Sequence, residues 1–151
     1  MDWDSFTEAL AETGEAVLPY VEEEITPAAG PVNLDTAKGK SLVKSLVMSQ
    51  FFNMKYHAGD ADYNQILITG GASANDGIAQ IISDVFQAEV KRLTGSDSAC
   101  LGAALRAAHA CEETSWKQLF QGFCQMAPES FTPKNNLDAE FENFKGLVEA
   151  L

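Results

Sequence analysis

The stretch from Ile66 to Gly77, ILITGGASANDG, constrains the fold of this chain more than any other. A short apolar run, Ile66 to Thr69, stops at the pair Gly70-Gly71, and a polar sequence that can begin a helix follows at once. Such a run is typical of a buried parallel strand, and glycines allow the chain to turn tightly behind it. In parallel α/β folds, ligands bind at the carboxyl ends of strands, where this turn would lie.

The apolar periodicity elsewhere predicts a helix-rich α/β chain. A strand is expected at Glu89–Leu93, so the middle of the chain reads as a parallel βαβ unit with too few strands for a sheet of its own. In the second predicted helix, an apolar stripe of Leu42, Val43, Leu46, Val47, Phe51 and Met54 should face the core. The predicted helices are 1–17, about 36–57, about 75–86, 98–110, one around Trp116–Phe123 and one around Leu137–Leu151, with a loop at 26–31.

Length and charge narrow the class of protein. The chain has 151 residues, enough for one ordinary domain, and a net charge of −12. That charge argues against nucleic acid and anionic membranes as partners. The start, Met1 to Asp4, does not resemble a secretory leader, and no apolar run approaches the roughly 20 residues of a membrane span.

The three cysteines, Cys100, Cys111 and Cys124, have no CxxC spacing. We expect them to be reduced and mostly buried, as in a cytoplasmic protein, and we expect no zinc site.

The glycine pair has two interpretations. The first backbone N–H groups of a helix are unpaired and carry partial positive charge, so Gly70-Gly71 could let a phosphate approach them. Either Ser73 or Asn75 could cap the helix, leaving the other free to face a ligand. The alternative is that both glycines serve only the turn. A second glycine motif, Gly39-Lys40-Ser41, lacks the first glycine of a phosphate-binding P-loop, because position 34 is Leu34.

The stretch from Ile66 to Ala110 resembles the nucleotide-binding end of the FGGY carbohydrate kinases, and among them the xylulokinases. Three further segments, WDSFTEAL at residues 3–10, EITP at 24–27 and the helix from Leu42 to His57, resemble that family in the same order. The resemblance implies part of a ribonuclease H-like, actin-like ATPase domain. It implies that residues 1–151 form a single partial domain, and that the N-terminal sugar-binding domain, with its catalytic aspartate, is absent.

Carried over by position, Gly70, Gly71 and Ala72 would border the phosphates and ribose of ATP, and Asn75 would contact adenine. Mg²⁺ would be held by the phosphates and by residues outside this chain, and no catalytic residue is expected within it. The partners implied are ATP or ADP and a pentulose, D-xylulose, that the missing domain would bind. The small residues Ala99, Gly102, Ala103 and Ala107 would let their helix pack tightly beneath the nucleotide.

The function implied is therefore the ATP-binding portion of a cytoplasmic sugar kinase, inactive as an isolated piece. The sequence leaves two alternatives open. One is a non-catalytic nucleotide-binding or interaction module, and the other is an unrelated α/β protein whose glycine turn is only structural.

Overall fold

A computed structural model describes residues 2–20, 39–59, 61–94, 98–112 and 114–151. Within these ranges the chain forms six helices and three strands, with a short 3₁₀ turn at Gly71–Ala74. The loop predicted at 26–31, the segment at 24–27 and the predicted start of the second helix at 36 lie outside the described residues. The elements are α1 (Trp3–Leu10), α2 (Lys40–Ala58), β1 (Gln65–Ile68), α3 (Asp76–Phe86), β2 (Glu89–Leu93), α4 (Ser98–Glu112), α5 (Trp116–Phe123), β3 (Met126–Phe131) and α6 (Asp138–Glu149).

The strands form one sheet in the order β1-β2-β3. β1 and β2 are parallel, with Ile66 opposite Val90, and α3 connects them, which confirms the predicted βαβ unit. β3 pairs antiparallel with β2, placing Phe131 opposite Val90. The sequence did not predict β3, because MAPESF contains a proline, which is tolerated only at the edge of a sheet, and lacks a clear alternation.

The core lies between α2, α3, α6 and the sheet. Its fully buried side chains include Phe52 from α2, Val85 from α3, Val90 from β2 and Phe144 from α6. The Phe52 and Phe144 ring centroids are 5.8 Å apart. Apolar burial of this kind is the main favourable term in folding, so these elements hold one another in place.

The helix predicted over residues 1–17 is shorter in the structure. α1 ends at Leu10, and residues 13–20 are neither helix nor strand. The backbone there is satisfied by α2 instead, because the N–H groups of Glu15 and Val17 donate to the hydroxyls of Ser45 and Ser49, both at 2.9 Å. The helical spacing of the early apolar residues therefore predicted the helix correctly only as far as Leu10.

The buried face of α2 also differs from the predicted apolar stripe. Its fully buried face carries Ser45, Met48, Ser49 and Phe52, whereas Met54 of the predicted stripe is 58% exposed. The predicted stripe is only partly correct, since its valines and Phe51 pack at the margin of the core. Periodicity places a buried face on apolar residues, and it cannot foresee two serines that bind a neighbouring backbone.

α4 differs most from its prediction. Its main contacts are with α5, and Leu105 is its one buried residue in the described part of the chain. The tight packing predicted for its small residues is wrong for these 151 residues, because all of them are exposed: Ala99, Gly102, Ala103 and Ala107.

The prediction of mostly buried thiols is wrong as well. Cys100 and Cys111 lie on α4 and are exposed, and Cys124 is half-buried at the end of α5. Because α4 packs mainly on α5, no core forms around its cysteines.

Candidate functional site

The glycine turn, residues 70–75, joins β1 to α3. Gly70 has φ +90°, a backbone conformation that favours glycine, and it reverses the chain directly after β1. Its carbonyl accepts the Ser73 N–H at 3.1 Å and the Ser73 hydroxyl at 2.7 Å. Gly70 is therefore required by the backbone itself, and the Ser73 side chain is used within the turn.

Gly71 is different. Its φ lies outside the left-handed region, and a Cβ built on it would meet no atom within 4 Å. The fold of these residues thus gives no reason for a glycine at this position. Gly71 borders a surface depression of about 430 Å³, and the other described residues that line it are Trp3, Ala74 and Asn75.

Trp3 forms a wall of this depression, and sequence reasoning did not predict it as a site residue. Its side chain is 62% exposed and meets the Phe6 ring edge-on, with the centroids 5.6 Å apart. In the helical pattern Trp3 falls on the same face of α1 as Leu10, which is buried, so the pattern does not distinguish it from a core residue. Only the packing of α1 against the glycine turn reveals that Trp3 stands at the surface beside it.

Asn75 is the N-cap of α3. Its Oδ1 accepts the Ile78 N–H at 3.1 Å, and its Nδ2 donates to Thr7 Oγ1 at 2.8 Å. The Thr7 hydroxyl in turn donates to the Trp3 carbonyl at 2.8 Å. Of the two cap candidates in the sequence, Asn75 is the cap, and it also ties the glycine turn to α1.

The four predicted site residues are not all on one surface. Gly71 and Asn75 line the depression beside Trp3, while Gly70 shapes the backbone between them and β1. Ala72 borders a separate apolar groove of about 260 Å³ on the α2 side of the turn. The structure therefore brings two of the four predicted residues to one depression.

Arg92 anchors the glycine turn to the sheet. Its guanidinium donates to the Ala74 carbonyl at 3.2 Å and pairs with the Asp76 carboxylate at 2.6 Å. The same group lies over the Phe131 ring, 4.8 Å from its centroid. Arg92 thus balances the negative charge of Asp76 at the start of α3, which matters for an anionic ligand in a chain of net charge −12.

The second glycine motif has another role. Lys40 is the first residue of α2, and its ammonium pairs with Glu8 of α1 at 2.7 Å. This hydrogen bond raises the pKa of Lys40 and lowers the pKa of Glu8. Gly39-Lys40-Ser41 therefore joins two helices.

The described ranges also bear on metal binding and on membrane crossing. Among these residues, no group of three histidine, cysteine, aspartate or glutamate side chains could hold a metal ion. Within the same ranges, every helix is too short or too polar to cross a bilayer.

Comparison with known proteins identifies the family. The family described as "FGGY family of carbohydrate kinases, C-terminal domain" matches residues 17–111, which is more than half of the chain. The chain belongs to the FGGY family. The glycine turn, α3, β2 and most of α4 lie inside the matched region.

Curated relatives of this FGGY chain include one enzyme from an animal and one from a plant. Xylulose kinase from Rattus norvegicus is 34% identical over 125 residues, covering 71% of this chain and 23% of the rat protein. Xylulose kinase 2 from Arabidopsis thaliana is 34% identical over 137 residues, covering 71% of this chain and 24% of that protein. The chain thus spans about a quarter of the length of the relatives it matches.

Solved structures show the same fold over nearly all of the chain. Xylulose kinase from Rhodospirillum rubrum superposes with a TM-score of 0.72 at 19% identity, covering 98% of this chain and 34% of that one. Glycerol kinase from Plasmodium falciparum, solved with ADP, gives 0.71 at 14% identity, covering 99% and 33%. The predicted fold, part of a ribonuclease H-like, actin-like ATPase domain, is therefore confirmed.

Proposed function

We propose that this chain supplies the ATP-binding part of an FGGY kinase that phosphorylates D-xylulose to xylulose 5-phosphate. The sugar is suggested by the names of the curated relatives, which are xylulose kinases. Three free thiols agree with a reducing compartment, so we place the reaction in the cytoplasm.

The observation that carries this proposal is the open position at Gly71. A side chain there would strain nothing and touch nothing in these residues, yet the position borders a depression between Trp3 and Asn75. Gly102, Gly122 and Gly146 on the helices are equally open, so what distinguishes Gly71 is the depression that it borders. A ligand that must approach the backbone closely would account for a glycine at this place. We infer that this ligand is the nucleotide, with its phosphates and ribose along Gly70 and Gly71, whereas Ala72 borders the groove on the other side of the turn.

The base would lie between Trp3 and Asn75. An asparagine amide has two donor hydrogens and two acceptor lone pairs, and Asn75 uses one of each in the fold. It can therefore cap α3 and still donate its second N–H to a ring nitrogen of adenine. Trp3 adds an exposed aromatic surface on which a planar base can pack.

Phosphoryl transfer needs the protein mainly to position the reactants and stabilise charge. In our proposal this chain positions ATP, and Mg²⁺ is held by the phosphates and by residues outside these 151. The sugar and its general base would also belong to parts of the enzyme beyond this chain, which spans about a quarter of the rat enzyme. We therefore expect no turnover from the 151 residues alone.

The binding test uses Gly71→Leu. We expect it to abolish ATP-dependent shifts in the ¹⁵N NMR spectrum of the chain while leaving the melting temperature unchanged. The matched control is Gly146→Leu, an exposed glycine on α6 where a Cβ also meets nothing within 4 Å. If Gly71→Leu binds ATP as tightly as the control, the assignment of the depression to the nucleotide is wrong.

The activity test separates a kinase from a non-catalytic module. The 151 residues are combined with the remaining part of the enzyme, and ADP release is followed with D-xylulose and with other pentuloses. D-xylulose-dependent ADP release from the mixture, and from neither part alone, supports the proposed reaction. ATP binding without any sugar-dependent release would instead indicate a nucleotide-binding module.

A further inference from the structure

A chain of hydrogen bonds joins α1 to the glycine turn across 68 residues of sequence. Asn75 Nδ2 donates to Thr7 Oγ1 at 2.8 Å, and Thr7 Oγ1 donates to the Trp3 carbonyl at 2.8 Å. Trp3 and Asn75 are also two of the residues that line the depression. Thr7 therefore connects the two sides of the depression through one hydroxyl group.

The directions of these bonds allow only one orientation of the Asn75 amide. Because the Thr7 hydroxyl donates its hydrogen to a carbonyl, it can only accept from Asn75, so the NH₂ group must face Thr7. At the other end, the Ile78 N–H needs an acceptor, so Oδ1 must face α3. Rotating the amide by 180° would place two donors against each other at Ile78 and two acceptors against each other at Thr7.

We propose that Thr7 is a positioning residue for base recognition. It holds the Asn75 amide so that its second N–H is presented to an acceptor nitrogen of a purine, and it sets the distance between that amide and Trp3. This inference rests on the proposed function, and it adds a residue that binds no ligand itself. We expect such a site to prefer a purine nucleotide over the smaller pyrimidine nucleotides, because two fused rings can cover Trp3 and reach the Asn75 amide at the same time.

The test replaces Thr7 by valine, which has the same shape without the hydroxyl. Thr7 lies on the exposed side of α1, so the substitution leaves the core untouched. Dissociation constants for ATP and UTP are measured by ¹⁵N NMR titration, which detects millimolar binding, for the wild type, Thr7→Val and Thr7→Ser. Glu8→Gln is the control, because it is the next residue on α1 and loses only a surface ion pair with Lys40.

We expect Thr7→Val to weaken ATP binding about 2- to 13-fold, the effect of one lost hydrogen bond, and to lower the preference for ATP over UTP by the same factor. Thr7→Ser should restore both values, and Glu8→Gln should match the wild type. The Asn75 side-chain NH₂ resonances should move in Thr7→Val even without nucleotide.

Several results would overturn the inference while leaving the proposed function standing. These are an unchanged ATP affinity in Thr7→Val, an equal loss for ATP and UTP, which is the mark of a merely structural role, and a wild type without preference for ATP. A wild type that binds neither nucleotide would instead overturn the proposed function, and the role of Thr7 with it.

Discussion

Two regions of the described chain, the core region of α2, α3 and α6 and the exposed region of α5 and β3, differ in how they use their apolar side chains. In α2, α3 and α6 the large apolar residues converge, and Phe52, Met48, Val85 and Phe144 are at most 1% exposed. In α5 and the adjoining strand they remain at the surface, with 39–60% of each side chain exposed: Trp116, Phe120, Phe123 and Met126. The region of α2, α3 and α6 is held by tertiary burial, whereas α5 and the strand after it depend more on local helix signals.

The comparison is tested most strongly by one phenylalanine from the core region and one from the exposed region. Phe52→Ala should lower the free energy of unfolding by about 3–5 kcal/mol, because Phe52 is fully buried against Phe141 and Phe144. Phe120→Ala should change it by no more than about 0.5 kcal/mol, since more than half of that side chain is already in water. Urea unfolding followed by circular dichroism measures both. Equal losses would show that α5 is as firmly packed as the core.

A buried carboxylate on α3 ties the loop after β3 to the core region. Asp84 is 4% exposed and accepts from the Lys134 N–H at 2.8 Å and from the Asn135 Nδ2 at 2.7 Å. Asp84→Ala should cost about 1.5–3 kcal/mol of unfolding free energy, the range for hydrogen bonds to a charged group. Urea unfolding provides the value, with the exposed Asp62→Ala as the control. A loss no larger than the control's would show that this loop is held by other contacts.

The stability of the exposed region should depend on its helix cap rather than on its packing. Ser115 and Gln118 form a capping box at the start of α5, whose one buried residue in the described chain is Leu119. Ser115→Ala should weaken α5 itself by about 1 kcal/mol. Hydrogen exchange should therefore quicken about fivefold at α5 amides and stay unchanged at α3 amides, with little change in global unfolding. Faster exchange in both helices would mean that α5 and the core unfold together.

The smallest expected effect concerns the cap of α1. The Ser5 N–H donates to Asp2 at 2.8 Å and lowers the pKa of Asp2 below its usual value. A carboxylate whose pKa is depressed on folding stabilises the fold above its unfolded pKa, and that contribution is lost as the pH falls through the folded pKa. The midpoint of the pH-dependent shift of the Ser5 amide resonance should therefore lie below 3.8, the ordinary pKa for this group. Asp2→Asn should abolish this step, and a step that survives in Asp2→Asn would have to come from another group.

Sequence patterns predicted the candidate site in part. The glycine turn follows from a local change of period, and Gly71 and Asn75 do line one depression. Ala72 faces the α2 side instead, because the 3₁₀ turn sends successive side chains in different directions. Trp3 could not be assigned, since its position in the α1 pattern matches that of a core residue.

The sequence by itself determined the elements that short-range physics controls. The parallel βαβ unit, the turn at Gly70 and the helices near α2, α3 and α6 are all encoded by neighbouring residues, through apolar spacing and the conformational freedom of glycine. Tertiary structure alone decided what depends on distant partners. These features are the unwound segment 13–20 on the serines of α2, the pairing of β3 with β2, the exposure of α4 and the link from Thr7 to Asn75. In the first, second and fourth of these, a polar or edge group finds a partner far along the chain, and in α4 the distant core that its small residues would need is not formed by these residues. Local periodicity contains no information about such distant partners.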